Sequence, residues 1–474
     1  MSAAPATTSR TTATDATPVL RALARLGLDV RLDRLDPSVE RAVRALWLDS
    51  VGCALAARAH PVVQQATRAA AMLEDGAAIT ALGSGRPLGL LGAMLDSGAA
   101  IRALDYNDFY WGPGIGGHPS DLFAVSLALA EQARASTREM LEASAAGYEL
   151  YLRMLDLMEP HGAFDHTSAM TPAAALIAAR LWRLDEEATI DALAMAFVRG
   201  PAMGAMRHGA ISQAKATAPA VAGQGGVMAA LLARSGIGGP RAACLGPLGL
   251  AAWVRDHDRT AALAEADGFG SALLRVSIKR FCCIGTAQSA VAAAREVHRK
   301  ASGRRIEAVH ARLGDTELMR HQTSAPYRRP ASRETADHSF FALLAMTLCD
   351  GDLVPAQFDG RRWLDPAVVA LSERFEFDCS LPIERQGLFS AQLRARLEDG
   401  STVIASVDHP PGHPLAPLSP AELLAKWHAC SAVALGGAER DRLSDAALHG
   451  GLDTPLSPWL AQLRTAASQK EFVA

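Results

Sequence analysis

The strongest constraint on the fold is a helical period of apolar and small residues that recurs through the first two-thirds of the chain. The segment 36–58 is typical, because Asp36 occupies an N-cap position and Pro37 the first helical position. Its apolar residues recur near helical spacing: Val39, Val43, Leu46, Val51 and Leu55. Similar patterns occupy 120–135, with Ser120 as the predicted N-cap, and 137–158, 171–184 and 186–200. Because small residues dominate these faces, we expect the helices to approach closely and form one wide helical body.

The pattern changes after about residue 271. Alternating apolar residues predict a strand over 305–315 and two strands over 391–410 that meet at an Asp399-Gly400 turn. Helical patterns flank these strands at 286–301, 336–349 and 419–434. The sequence therefore predicts a mainly α fold, with a large all-helical domain and a smaller α+β domain. The predicted divisions are a disordered tail over 1–17, the helical domain over 18–270, the α+β domain over 271–415 and a C-terminal return to the helical domain over 416–474.

Charge and composition argue against several classes of protein. A net charge of -3 gives no basic surface for nucleic acid and no polybasic membrane patch. The uncharged run 216–233 is long enough to suggest a membrane span, but Pro219, Gln224 and paired glycines favour a buried core helix. The first 17 residues lack the apolar region of a secretory signal, and the seven cysteines lack the spacing of a disulfide framework. These features predict a cytoplasmic protein with neither nucleic-acid nor membrane partners.

Familiar catalytic motifs are missing from the sequence. It contains no H-E-x-x-H, no C-x-x-C, no P-loop and no G-x-S-x-G, and no G-x-G-x-x-G opens a helix after a strand. A metal site formed by Asp105, Asp108 and His118 is an open but weak alternative, since their spacing matches no metal motif.

Lysine is scarce, so the setting of each lysine is informative. Lys215 is the only formal charge between Arg207 and Arg234, in a stretch predicted to be buried. It either faces a polar cavity or extends its ammonium to the surface. Lys279 precedes a predicted helix start near Thr286, where free N–H groups would suit an anion; the alternative is an exposed lysine at a domain boundary.

Three histidines fall at predicted helix junctions in the helical half. They are His118 before Pro119, His166 beside Asp165, and His208 after Arg207. Each alone is more often a packed or capping histidine than a catalyst. Together with the lysines and acids, they suit a small polyanionic acid, because cations bind carboxylates while an imidazole and a carboxylate exchange protons.

Several segments, in this order, resemble the MmgE/PrpD family, which includes 2-methylcitrate dehydratase, cis-aconitate decarboxylase and iminodisuccinate epimerase. They are LDSVGCALAA, IRALDYND with GHPSD, AGYELYLRM, GAFDHTS, RHGAISQAKATAPAVAGQGG, SIKRFCC, ADHSFFALLAM and PPGHPLAPLSPAELLAKW. The resemblance covers roughly residues 35–435. It implies a large all-helical domain with a smaller α+β lid, a homodimer, and an active site in the cleft between the two domains.

The resemblance also implies site residues and no cofactor or metal. The implied catalytic residues are Asp105, His118, His166, Lys215 and Lys279. The residues expected to contact substrate are Asn107, Phe109, Arg207, His208 and Gln288. The chain departs from the family where Phe109 stands for a threonine, where Thr286, Ala287 or Gln288 stands for a histidine, and where Phe341-Ala342 stands for a tyrosine.

Three functional hypotheses follow from these features. The first is a cofactor-independent lyase, a dehydratase that acts on 2-methylcitrate or a related di- or tricarboxylic acid by α-proton abstraction. The second keeps the proton abstraction but ends in epimerisation or decarboxylation, which the departures from the family motivate. The third is a non-catalytic relative that binds carboxylates. In each case the expected partner is a small carboxylic acid.

Overall fold

The computed structural model describes residues 15–73, 78–159, 162–207, 211–254, 257–382 and 389–464. Nine helices within these ranges build the N-terminal body. They are α1 (Thr17–Leu28), α2 (Pro37–Ala56), α3 (Pro61–Ala70), α4 (Leu90–Arg102), α5 (Phe123–Gln132), α6 (Thr137–Leu157), α7 (Met170–Leu181), α8 (Glu186–Arg199) and α9 (Ala218–Arg234). Residues 1–14, most of the predicted tail, lie outside the described residues.

Local capping explains where these helices begin. The Asp36 side chain accepts a hydrogen bond from the backbone N–H of Ser38, with Pro37 in the first turn, as predicted. Ser136 and Glu139 form a reciprocal capping box at the start of α6. The prediction for Ser120 is wrong, because this residue lies inside a 3-10 turn at Pro119–Leu122 and α5 begins at Phe123.

Helix α7 is the centre of the body and packs against α5, α6, α8 and α9. Small residues permit these contacts. A Cβ on Gly226 of α9 would lie 2.1 Å from the carbonyl oxygen of Thr171, and one on Gly147 of α6 would lie 2.5 Å from Ile177. The predicted close approach of small-residue faces is therefore confirmed.

Among the described residues of the helical body, two short antiparallel ribbons connect helices without changing its mainly α character. The first joins β1 (Ile79–Thr80) to β2 (Pro87–Leu88). The second joins β3 (Tyr110–Trp111) to β4 (Gly116–Gly117) and shapes the loop between α4 and α5. A Cβ on Gly117 would lie 2.5 Å from the Tyr151 hydroxyl, so glycine lets this ribbon pack directly on α6.

The described residues of the C-terminal part include a four-stranded mixed sheet in the order β6-β5-β7-β8. The strands are β5 (Ile306–Gly314), β6 (Phe375–Leu381), β7 (Ala391–Leu397) and β8 (Thr402–Val407). The three predicted strands are confirmed, and Gly400 adopts the left-handed φ of +80° that the predicted turn requires. Strand β6 was not predicted; it pairs in parallel with β5, with Phe375 opposite Val309.

Helices cover this sheet and connect its strands. They are α10 (Gln288–Ala301), α11 (Glu317–Gln322), α12 (Arg333–Ala336), α13 (Phe340–Asp350), α14 (Pro355–Asp359) and α15 (Pro366–Ser372). Helix α10 packs on β7 and β8, and α13 packs between α10 and α15. The inward residues of β7 are buried and alternate with exposed or half-buried ones, as expected for a sheet with one covered face.

The chain then returns to the N-terminal body through α16 (Pro420–Ser431), α17 (Gly437–His449) and α18 (Ser457–Ala461). Helices α16 and α17 pack on α2, where the Trp427 ring lies against Gly52. The exact domain boundaries stay predictions. The uncharged run 216–233 forms most of α9, and among the described residues none of the helices combines the length and apolar character that crossing a membrane requires.

Candidate active site

A cavity of about 510 Å³ lies between the helical body and the C-terminal part. The helical body contributes Arg102, Asp105, the β3–β4 ribbon, His118, His166 and Lys215 to its wall. The C-terminal part contributes residues 284–286, part of α11, Tyr327 and His338. Charged and apolar side chains therefore face the same concave space, which is typical of a small-molecule site.

Asp105 is the electrostatic centre of this cavity. Its side chain is 1% exposed, and its backbone φ of 49° is left-handed, which is uncommon for a residue with a side chain. The carboxylate Oδ1 accepts hydrogen bonds from Lys279 Nζ and, at 3.1 Å, from Arg102 Nη1. Burial alone would raise the pKa of Asp105, but Arg102, Lys279 and Lys215 hold it well below its usual range. Asp105 is therefore ionised.

The two predicted lysines both contact Asp105 but occupy different positions. Lys215 Nζ lies on the cavity wall, 3.7 Å from Asp105 Oδ2 and 3.4 Å from Oδ1 of Asp337. Lys279 Nζ also donates to the Asp105 carbonyl oxygen at 2.9 Å, and this lysine is not among the described residues that line the cavity. Burial lowers the pKa of Lys279, against the opposing effect of Asp105. Lys279 therefore balances the charge of Asp105 from behind, while Lys215 can reach a ligand.

The rings of His118 and His166 meet edge to face, with their centroids 5.6 Å apart. The His118 Nδ1 lies 2.7 Å from the Asp108 carbonyl oxygen; because a carbonyl only accepts, Nδ1 carries the proton and Nε2 keeps its lone pair. The Tyr151 hydroxyl accepts from the His118 backbone N–H at 3.3 Å and lies 2.8 Å from His166 Nδ1. Burial, Arg102 and Lys279 hold the pKa of His118 well below its usual range, so the ring is neutral at neutral pH.

Asp108 supports His118 from beneath the cavity wall. Its carboxylate accepts from the Ser120 backbone N–H at 3.0 Å, from the Ser120 hydroxyl at 2.5 Å and from the Tyr148 hydroxyl at 3.1 Å. Burial nevertheless raises the pKa of Asp108 to about 7. Ser120 thus fixes the loop by a side-chain bond to Asp108 rather than by capping α5.

This titration predicts a pH-dependent effect of Asp108→Asn on stability. The folded pKa of Asp108 is about 7, against an ordinary 3.8, so the fold favours the protonated acid. Its contribution to the free energy of unfolding is therefore present at low pH and is lost as the pH rises through 7. Asparagine mimics the neutral acid, so the variant should gain in free energy of unfolding over wild type between pH 5 and 7, by up to about 1.4 kcal/mol per pH unit. Urea unfolding at several pH values measures the difference; Asp445→Asn on the exposed face of α17 is the control. A pH-independent difference would contradict the prediction.

Asp337 and His338 belong to the site but were not among the predicted site residues. His338 Nδ1 donates to Asp337 Oδ1, and His338 Nε2 lies 3.7 Å from Asp105 Oδ2. Burial would raise the pKa of Asp337, but Lys215 and His338 lower it overall. The sequence did contain evidence that could have identified these two residues. They belong to the ADH of ADHSFFALLAM, directly before the Ser339 N-cap of α13.

Lys426, on α16 of the C-terminal return, was also not predicted. Its ammonium donates to the carbonyl oxygens of Tyr106 at 2.9 Å and Lys279 at 2.8 Å. It pairs with Asp49 Oδ1 at 2.6 Å and lies 4.0 Å from the centre of the Tyr106 ring. A buried cation thus fixes the backbone on both sides of the Asp105–Lys279 pair.

Of the residues expected to contact substrate, Phe109 lies on the cavity wall and Asn107 has a structural role in the loop. Phe109 lines the cavity, and its ring occupies the space where a Cβ on Gly285 would lie, 2.5 Å away. Asn107 is buried and donates to Ser120 Oγ at 3.0 Å and Asp121 Oδ1 at 3.1 Å, so it orders the loop. The Arg207 side chain and the whole of His208 lie outside the described residues.

Gln288 is a correction to the predicted substrate contacts. Its amide donates to the carbonyl oxygens of Phe281 at 2.9 Å and Cys283 at 3.2 Å, and accepts from the Phe281 N–H at 3.2 Å. Gln288 therefore fastens the start of α10 to the segment that carries Lys279 and is not among the described residues of the cavity wall. The predicted cap Thr286 lines the cavity instead and donates to Gln322 Oε1 at 2.8 Å.

For the alternative of a metal site, the structure brings together a different set of residues from the one expected. Among the described residues, the group with ligand atoms close enough for an ion is Asp105, Asp337 and His338, all within 4.8 Å of one another, and not Asp105, Asp108 and His118. Lys215 lies within 3.7 Å of both carboxylates, and Lys279 binds Asp105. Since these ammoniums already balance the carboxylates, the group is a poor fit for a divalent cation.

Comparison with known proteins adds independent evidence on this architecture. The MmgE/PrpD N-terminal domain matches residues 21–262, and the MmgE/PrpD C-terminal domain matches residues 281–449. A protein of Saccharomyces cerevisiae (strain ATCC 204508 / S288c) named "Probable 2-methylcitrate dehydratase" is 28% identical over 182 residues. That match spans 35% of this chain and 35% of the yeast protein, about a third of its length. Because the two family domains occur in order and the cavity lies where they meet, the chain belongs to the MmgE/PrpD family.

Proposed function

We propose that the protein is a cofactor-independent lyase that removes water from 2-methylcitrate or a related di- or tricarboxylic acid. One observation carries the proposal. A neutral histidine with an unprotonated ring nitrogen, His118, faces the same cavity as an ionised carboxylate and its partner cations. This combination provides a base for an acidic C–H bond and positive charge for the carbanion that results.

The proton transfer follows from the tautomer of His118. Its Nε2 removes the proton on the carbon next to a substrate carboxylate. The electron pair that remains is delocalised onto that carboxylate, where Lys215 and Arg102 stabilise the developing charge. Both cations line the cavity and are held by buried carboxylates, so little reorganisation is needed during the reaction.

The apolar part of the wall supports a substrate with an alkyl group. Phe109, Trp111, Ile115, Phe164 and Ile284 all line the cavity. A methyl group on the substrate would bury apolar area against these side chains, a gain of roughly 0.8 kcal/mol for one carbon. The name of the yeast relative, which refers to 2-methylcitrate, agrees with this preference.

A second outcome, epimerisation, is favoured by the paired histidines. With ring centroids 5.6 Å apart, His118 and His166 are two proton-transfer groups on one cavity, and epimerisation needs one group to remove a proton and another to return it. A non-catalytic role is disfavoured, because burial depresses the pKa of His118 in the cavity and so keeps the ring available as a base. Homodimer assembly and a cytoplasmic location stay predictions from the sequence.

One experiment separates these functions. The purified protein is incubated in D₂O with 2-methylcitrate, citrate, cis-aconitate and related diacids, and the products are followed by NMR. We expect dehydration of a hydroxy tricarboxylic acid, with 2-methylcitrate turned over faster than citrate. Deuterium uptake at the α-carbon without net dehydration would favour the epimerase, and CO₂ release the decarboxylase. No change in any acid would contradict the proposal.

A further inference from the structure

One carboxylate oxygen in the cavity lacks the partner that its burial demands. Asp105 Oδ2 is fully buried and has no hydrogen-bond partner among the described residues. Two groups approach it, Lys215 Nζ and His338 Nε2, each at 3.7 Å. Those distances are too long for direct hydrogen bonds, so a substrate oxygen that enters between these groups would give Asp105 Oδ2 the partner that it lacks.

Contacts with other residues determine which of these three groups donate a hydrogen bond and which accept one. His338 Nδ1 carries its proton because it donates to Asp337 Oδ1, so a neutral His338 presents Nε2 as an acceptor. Asp105 Oδ2 is also an acceptor, whereas Lys215 Nζ is a donor. Burial and Lys215 lower the pKa of His338, against the opposing effects of Asp337 and Asp105, which favours the neutral ring.

We infer that Asp105 Oδ2, Lys215 Nζ and His338 Nε2 form the subsite that receives the departing hydroxyl group of the substrate. A substrate hydroxyl has one hydrogen and can satisfy only one of the two acceptors. The water that it becomes has two hydrogens and a lone pair, and satisfies all three groups. The subsite therefore binds the leaving group more strongly as the carbon–oxygen bond breaks, which is the condition for catalysis rather than mere binding.

The complete step balances without a further reactant. The α C–H bond breaks and its proton passes to His118 Nε2, while its electron pair is first delocalised onto the adjacent carboxylate and then forms the carbon–carbon double bond. The carbon–oxygen bond breaks, and the oxygen keeps that electron pair and takes a proton from Lys215 Nζ. The products are the unsaturated acid and water; His118 then releases a proton to solvent and Lys215 regains one. His338 contacts the leaving oxygen, and Asp337 is the positioning residue that holds its ring.

The inference rests on the proposed dehydratase function, and a leaving-group experiment tests it separately. His338→Asn keeps an amide donor for Asp337 but removes the Nε2 acceptor. Its rate is measured with 2-methylcitrate and with the analogue in which fluorine replaces the tertiary hydroxyl, since fluoride departs without taking a proton. We expect water loss to fall about 10-fold, as for the loss of one buried hydrogen-bond partner, and fluoride loss to fall less than about 2-fold.

Two control variants are measured with the same pair of substrates. His118→Asn should slow both reactions equally, because both need the α-proton removed. His428→Asn, on the half-exposed face of α16, should slow neither. The ratio of the two rates within one preparation does not depend on how much enzyme has folded.

Equal loss of both reactions in His338→Asn would overturn the subsite. Failure of the wild-type protein to eliminate either group would overturn the proposed function, and the subsite with it.

Discussion

Replacement of His118 by asparagine should lower kcat for α-proton removal by about 10²–10⁴-fold, the usual range for loss of a general base. The neighbouring charged groups cannot substitute, because Arg102, Lys215 and Lys279 are cations and Asp105 is hydrogen-bonded to two of them. His166 also lines the cavity, so any exchange that remains in the variant measures what that second histidine contributes. Deuterium incorporation from D₂O into the acid that the wild-type protein turns over measures the loss.

The pH profile provides a second test of His118. Because burial and Arg102 hold its pKa well below 6.5, the active neutral form persists as the solution becomes acidic. The acidic limb of kcat/KM should therefore lie below pH 6.5 in the wild-type protein. His449→Asn, at the exposed end of α17, is the matched control and should leave both the rate and the profile unchanged. Undiminished exchange in His118→Asn would show that another group is the base.

Asp105→Ala should produce the largest loss of stability, about 3–5 kcal/mol in the free energy of unfolding. The substitution leaves Lys279, whose side chain is 0% exposed, without the carboxylate that balances its charge. Urea unfolding followed by circular dichroism measures the loss. Asp315→Ala, which breaks the exposed pair of Asp315 with Arg320, is the control and should cost several-fold less.

Two further variants separate the charge of Asp105 from its backbone strain. Asn tolerates the left-handed φ of 49° and keeps an acceptor for Arg102, so Asp105→Asn should lose stability only through the missing charge. In Asp105→Ala with Lys279→Met, both charges are gone and part of the loss should be recovered. A double variant whose loss equals the sum of the two single losses would mean that the pair is not coupled.

Features set by local sequence were predictable. Asp36 and Pro37 mark the start of α2 because capping depends on adjacent residues, and the turn at Gly400 requires a conformation that glycine adopts freely. The segments shared with the family also placed Asp105, His118, His166 and Lys215 along the chain, and the fold brings all four to one cavity.

Features set by distant partners were not predictable. Strand β6 pairs in parallel with β5 across more than fifty residues, and nothing local to 375–381 specifies that partner. Gln288 and Asn107 have polar side chains suited to a substrate, but the fold provides them with backbone and loop partners. His338 shows the reverse case. Its adjacency to Asp337 is visible in the sequence, whereas its approach to Asp105 depends on how the two parts of the chain meet.

The buried ammonium of Lys426 limits how members of this family can be recombined. It comes from α16, yet it binds the backbone of Tyr106 in the helical body and of Lys279 at the start of the α+β part, and pairs with Asp49 of α2. A chimera that joins one parent's helical body to another's α+β part would therefore have to take residues 420–431 from the parent that supplies Asp49. A graft that ignores this pairing would misplace Lys279 even where every cavity residue is retained.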